Sequence, residues 1–115
     1  MPKRIQRKRT KGWKMPENTI YIGRPGKFGN PFTAKGCRDA GYSGTDREIN
    51  ERCVKAFRAW LCSKHWRENW DGEESERRRQ AILDSLHELR DKNVADWCKE
   101  GDPCHGDVLL ELANR

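Results

Sequence analysis

The sequence predicts a small α/β domain, with a mostly parallel sheet of two or three strands flanked by helices. Three observations predict it. Two short apolar runs, residues 19–22 and 93–97, each lead straight into a loop rich in glycine and proline. Between them lie two stretches with helical periodicity, enough chain for a crossover connection. The second loop opens a further helical stretch. If the two runs are parallel neighbours, both loops lie at the carboxyl edge of the sheet, where open α/β folds bind ligands.

The elements follow in order. Residues 4–9 read as an extended arm or as an edge strand with Ile5 pointing inward. Trp13 and Met15 suggest an apolar anchor, and Thr19 to Ile22 is a β-branched and aromatic strand. Residues 33–45, with Gly36, Gly41 and Gly44, read as loop. Thr45 followed by Glu48 fits a capping box and starts a helix running from about Asp46 to Lys64. Ile49, Cys53, Ala56, Phe57, Trp60 and Leu61 fall on one face of it. Cys62 is expected in the core with Cys53, and Trp66 and Trp70 extend the helix until Asp71-Gly72 breaks it.

A second helix starts at Ser75 or the acids before it and runs to about Arg90, burying Ile82, Leu83, Leu86 and Leu89. Arg77, Arg78 and Arg79 sit in its first turns, against the helix dipole. They read as solvated, offset by Glu73, Glu74 and Glu76. Asn93 to Trp97 is the second strand. A last helix, about Asp107 to Asn114, buries Val108, Leu109 and Leu112.

The 115 residues suit one small domain, and 34% hydrophobic residues allow a thin core. Five Trp compensate, since each buries a large apolar area. The charge is unevenly placed. Residues 1–14 carry seven of the 24 Lys and Arg and none of the 18 Asp and Glu. The net charge of +6 therefore resides in a basic N-terminal arm, residues 1–14, on a nearly neutral single domain, residues 15–115. Arg4, Arg7, Lys8, Arg9 and Lys11 would contact DNA or RNA, as blocks of like charge often do. Deleting residues 1–9 is expected to leave the fold largely intact. The start of the chain lacks an apolar signal segment, and no apolar run is long enough for a membrane span. Five cysteines, an odd number, fit reduced thiols and a cytoplasmic setting.

The first loop is Gly23-Arg24-Pro25-Gly26-Lys27-Phe28-Gly29-Asn30-Pro31-Phe32. Gly23, Gly26 and Gly29 let backbone N–H groups approach a ligand, and Arg24 and Lys27 add positive charge, a combination that suits phosphate. Asn30 could read a base or sugar edge. The loop is neither a Walker A sequence nor G-x-G-x-x-G, and no cofactor is implied. As a tight structural turn it would need the same glycines and prolines.

The second loop runs from Trp97 to Asp107 and holds Cys98, Cys104, His105 and three nearby acids, Asp96, Asp102 and Asp107. Cys104 precedes a helix N-terminus, which lowers a thiol pKa, and His105 could serve as acid or base. Cys104, His105 and Asp107 are the candidates for chemistry, with no complete catalytic constellation among them. As metal ligands, Cys98, Cys104 and His105 have a C-x5-C-H spacing in which two ligands are adjacent. The expectation is no stoichiometric zinc. The blander reading packs Cys98 in the core and has His105 and Asp107 cap the last helix.

Residues 5–13, Tyr21-Ile22-Gly23-Arg24-Pro25, Gly29-Asn30-Pro31-Phe32 and Pro103-Cys104-His105-Gly106-Asp107-Val108-Leu109 occur in this order in the domain-of-unknown-function family 4326, which the chain resembles. The matching segments lie at both ends and make up about half of the sequence. Members are mostly small proteins of bacteriophages and bacteria. The resemblance therefore implies a phage association and no particular chemistry. Members typically show Cys-Trp-Cys where this chain has Asp96-Trp97-Cys98, which weakens a metal reading unless Asp96 substitutes as a ligand. Residues 33–92 match less well, and no role is carried over there.

The functional expectation is a phosphate-bearing, nucleotide-like small molecule held between the two loops. Arg24, Lys27 and the glycine backbone would take the phosphate. Asn30 and His105 would read or act on the rest, with Asp107 orienting His105. The alternatives are a nucleic-acid-binding module led by the basic arm and a factor that docks on a host protein.

Overall fold

The computed structural model describes residues 2–24, 26–62, 72–99 and 101–115. Three strands, β1 (Arg4–Gln6), β2 (Thr19–Tyr21) and β3 (Asn93–Asp96), form one sheet in the order β1-β3-β2. Both pairings are parallel: Arg4 lies opposite Val94 and Gln6 opposite Asp96, while Thr19 lies opposite Asn93 and Tyr21 opposite Ala95. The N–H of Ile22 continues the β2 ladder to the Ala95 carbonyl at 2.9 Å. The α/β class, the parallel pairing and the side-by-side carboxyl ends of β2 and β3 all agree with the sequence.

Of the two readings for residues 4–9, the edge strand forms over Arg4–Gln6. The arm is thus pinned at its root, and Arg7 N–H continues the ladder to the Asp96 carbonyl at 2.6 Å. Deleting residues 1–9 would take away one of the three strands of this sheet, so the deletion is expected to disturb the fold rather than leave it largely intact. Charge placement says nothing about backbone pairing, and Ile5 alone is too short a signal for a strand.

Among the described residues four α-helices flank the sheet: α1 (Ala34–Asp39), α2 (Asp46–Cys62), α3 (Gly72–Ser85) and α4 (His105–Ala113), with a 3₁₀ turn over Leu86–Leu89 after α3. Helix α1 replaces the expected loop over 33–45. The Thr33 hydroxyl accepts from the Gly36 N–H at 2.9 Å and nucleates it, outweighing the helix-weakening Gly36. The capping box at α2 forms: Thr45 Oγ1 accepts from the Glu48 N–H at 3.1 Å, and Glu48 Oε1 accepts from the Thr45 N–H at 3.0 Å. Hydrogen bonding to the carboxylate from the Thr45 backbone N–H, and then from the Thr45 side chain, holds the Glu48 carboxyl below its usual range. The expected extension through Trp66 and Trp70 and the break at Asp71 lie outside the described residues.

Helix α4 packs on β3, α2 and the 3₁₀ turn. Ile22, Phe57, Trp60, Leu61, Ile82, Leu89, Val94, Val108 and Leu109 make the core. Cys53 is buried, but Cys62 is exposed. Met15 is also exposed, so it anchors nothing. Arg79 is buried at 8% exposure, unlike its neighbours Arg77 and Arg78, and donates to the carbonyls of Trp60 and Leu61 at the end of α2. No helix among the described residues is long and apolar enough to cross a membrane.

Candidate functional site

Parallel pairing of β2 and β3 delivers the two loops to one cleft of about 330 Å³. Tyr21, Gly23, Arg24 and Asn30 line it from the first loop, and Asp96, Trp97, Cys98, Pro103, Cys104 and His105 from the second. Phe32, Asn50, Cys53 and Val54 close the helical side. A larger cleft of about 710 Å³ lies between α1 and α2. It shares Phe32 and Cys53 with the first but touches neither Arg24 nor the second loop.

The loop glycines are demanded by the protein itself. A Cβ at Gly23 would run into the Tyr21 ring and hydroxyl. At Gly29 it would sit 2.8 Å from Arg24 Cγ and 3.1 Å from Arg24 Cα, and at Gly26 3.2 Å from the Gly23 carbonyl. The loop is folded on itself, with Gly26 N–H donating to Gly23 O at 3.1 Å and Gly29 N–H to Gly26 O at 3.0 Å. Asn30 is likewise structural: its amide donates to the Cys53 carbonyl at 3.2 Å and its Oδ1 accepts from the Phe32 N–H at 2.9 Å. Lys27 points away from the cleft and pairs with Glu88 at 2.9 Å. Arg24 remains exposed at the cleft, with no ion pair among the described residues.

Asp96 is the hub of the second loop. It is buried at 3% exposure at the end of β3. Its Oδ1 accepts from the Cys98 N–H at 3.0 Å, and its Oδ2 accepts from the thiols of Cys98 at 3.2 Å and Cys104 at 2.8 Å. His105 Nδ1 lies 3.6 Å from the same oxygen. The other ring nitrogen, Nε2, is 2.9 Å from the Ile22 carbonyl. A carbonyl only accepts, so Nε2 carries the proton and Nδ1 presents its lone pair. Burial holds the imidazole below its ordinary pKa, and the ring stacks edge-on to Phe57 at 5.3 Å.

These contacts revise three expectations about the second loop. Cys104 is not an activated thiol: the hydrogen bond with Cys98, then burial, then the Asp96 carboxylate push it far up, against the helix N-terminus. Asp107 does not orient His105; it pairs with Arg4 at 3.2 Å, and Asp96 faces the ring instead. Neither His105 nor Asp107 caps α4, whose N-cap is Cys104 without a side-chain cap bond.

The arm residues divide. Arg4 is consumed by the fold, donating to Asp107 Oδ1 and to the carbonyls of Cys98, Lys99 and Asp102 at 3.1–3.4 Å. Arg7 lies over both Tyr21 and Trp97, 4.7 Å from each ring centroid, and Arg9 lies 4.8 Å from the Trp97 ring. Lys8 and Lys11 are exposed. Trp97 and Tyr21 were not singled out as site residues in the sequence, whereas Arg7 was named only as part of the basic arm. Their joint signal, an exposed aromatic after a strand with a basic arm in register beside it, exists only once β1 is paired with β3.

The family model described as a domain of unknown function (DUF4326) matches residues 5–115. The chain belongs to that family. No curated protein and no solved structure matches it. The DUF4326 match takes in Ile5 and Gln6 of β1, both loops and the whole of α4, so the cleft lies inside the family domain.

Proposed function

We propose that this DUF4326 member binds a small phosphate-bearing, nucleotide-like ligand in the cleft between its two loops. The carrying observation is the convergence of both loops on one cleft of about 330 Å³, within the range of small-molecule sites. Arg24 offers the phosphate a guanidinium not committed to an ion pair among the described residues. Tyr21 and Trp97 offer ring faces to a base. The phage association and a host cytoplasm as the setting belong to the same reading. They rest on the sequence resemblance and on five free cysteines.

Calorimetric titration with nucleoside mono-, di- and triphosphates tests the reading. Arg24→Ala should weaken binding about tenfold or more, the worth of a hydrogen bond to a charged group. Its melting should stay within about 0.5 kcal/mol of wild type, because the side chain is exposed. No heat with any nucleotide, or equal affinity in the variant, refutes the assignment.

A second reading has a specific observation behind it. Arg7 and Arg9 beside the exposed Trp97 form a basic aromatic surface suited to single-stranded nucleic acid. Lys8→Glu with Lys11→Glu removes arm charge without touching β1. Binding of a single-stranded oligonucleotide should then weaken, and each lost phosphate contact should reduce the salt slope by about 0.7. An unchanged slope excludes Lys8 and Lys11 from the contact.

A further inference from the structure

We infer that Asp96, Cys98, Cys104 and His105 form a zinc site that fastens the second loop to the ends of β2 and β3.

The donors converge on one point. Asp96 Oδ2 lies 2.8 Å from Cys104 Sγ, 3.2 Å from Cys98 Sγ and 3.6 Å from His105 Nδ1. Cys104 Sγ is 4.0 Å from His105 Nδ1, and the donor atoms of Asp96, Cys104 and His105 all lie within 4.8 Å of one another. Ligand atoms around a tetrahedral zinc, with bonds of about 2.0–2.3 Å, are separated by roughly 3.3–3.8 Å. Asp96, Cys104 and His105 therefore need shifts of about half an ångström, and Cys98 completes the set through its contact with the same Asp96 oxygen. Two thiolates, one imidazole and one carboxylate are a donor set that selects zinc over magnesium or calcium.

The surrounding contacts have the arrangement a metal requires. Nε2–H of His105 is spent on the Ile22 carbonyl at 2.9 Å, which turns the Nδ1 lone pair toward Asp96. Oδ1 of Asp96 is spent on the Cys98 N–H, which leaves Oδ2 for the metal. Asp96 is a buried carboxylate whose ion-pair contact among the described residues is the His105 ring, 3.6 Å away. A buried carboxylate is costly unless it is paired or coordinates a metal. A dication entering here would release the two thiol protons and supply the missing positive charge.

The adjacency of Cys104 and His105, which counted against zinc in the sequence, is resolved by the backbone. Cys104 is extended, with φ −150° and ψ 139°, and His105 is the first residue of α4. The change of direction between them lets both side chains face Asp96. Four protein ligands make a closed, structural centre at the floor of the cleft. This inference does not depend on the nucleotide reading: the protein can hold zinc and bind no nucleotide, or the reverse.

Elemental analysis of the full chain, grown with zinc and purified without chelator, should give about one zinc per chain. Less than about a tenth overturns the site. Cobalt substitution should give the ligand-field and thiolate charge-transfer bands of a tetrahedral centre. Those bands should vanish in Cys104→Ser and persist in Cys62→Ser, whose residue is exposed and distant in sequence. Bands that survive in Cys104→Ser move the metal elsewhere and overturn the assignment. Should that variant fail to fold, Asp96→Cys keeps a donor at all four positions and should intensify the charge-transfer band. An unchanged spectrum removes Asp96 from the ligand set.

Discussion

Arg79→Leu should lower the unfolding free energy by about 3 kcal/mol and the melting temperature by roughly 10 °C. The last carbonyls of a helix have no partner within it. At the end of α2, Arg79 Nε donates to Trp60 O at 2.6 Å and Nη2 to Leu61 O at 3.1 Å, while Nη1 meets Glu76 at 3.2 Å. Leucine fills part of the space but removes the partner that Arg79 gives to both carbonyls, each loss costing about 1–3 kcal/mol. Arg79→Lys should recover only part of the loss, because one ammonium lacks the planar fork that reaches both. Arg78→Leu is the control. That residue is exposed, and its change should stay within about 0.5 kcal/mol. Denaturant unfolding of the three variants decides the matter, and a wild-type midpoint for Arg79→Leu would show the cap to be dispensable.

His105→Ala should also cost about 3 kcal/mol, and this reverses what its position before a helix suggests. The ring is buried at 8% exposure, stacks on Phe57 and donates to the Ile22 carbonyl. Truncation leaves a cavity and an unpaired carbonyl together. The residue ties the end of β2 to the start of α4, and much of its worth is independent of any ligand. The variant should therefore melt lower than wild type even when both are fully chelated. If chelated His105→Ala and chelated wild type melt together, the ring contributes only through metal.

Much of the fold was legible because its signals are local. The capping box at Thr45 and Glu48, the apolar stripe of α2 and the two strands all appear within a few residues of sequence. Arg79 shows the limit. Read along the chain, it is one of three arginines in a polar run. Read at helical spacing, it lies with Ser75 and Ile82 on the inward stripe of α3, and Ser75 accepts from Trp60 Nε1 at 3.0 Å. Period, not composition, separates it from Arg77 and Arg78.

The site was legible in position and less so in parts. Glycines and prolines marked both loops, and parallel pairing put them together. The glycines serve chain packing, because Tyr21 closes on Gly23, Arg24 on Gly29 and the Gly23 carbonyl on Gly26. Lys27 and Asn30 looked free in sequence but find partners 61 and 23 residues away. Asp96 was visible as one of three acids near the second loop. Its role depends on Cys98, Cys104 and His105 reaching it from a loop whose path no local rule specifies.

The central strand is the last to be made. Arg4 pairs with Val94 and Thr19 with Asn93, so β1 and β2 each wait for a segment near the far end of the chain. Closing such long loops is entropically costly before any ladder bond rewards it. During synthesis, α1 and α2 can form early while both outer strands remain without neighbours. The sheet, and with it the convergence of the two loops, can appear only after Asp96 has left the ribosome. Assembly of this cleft is therefore expected to be the closing event of folding, later and slower than helix formation.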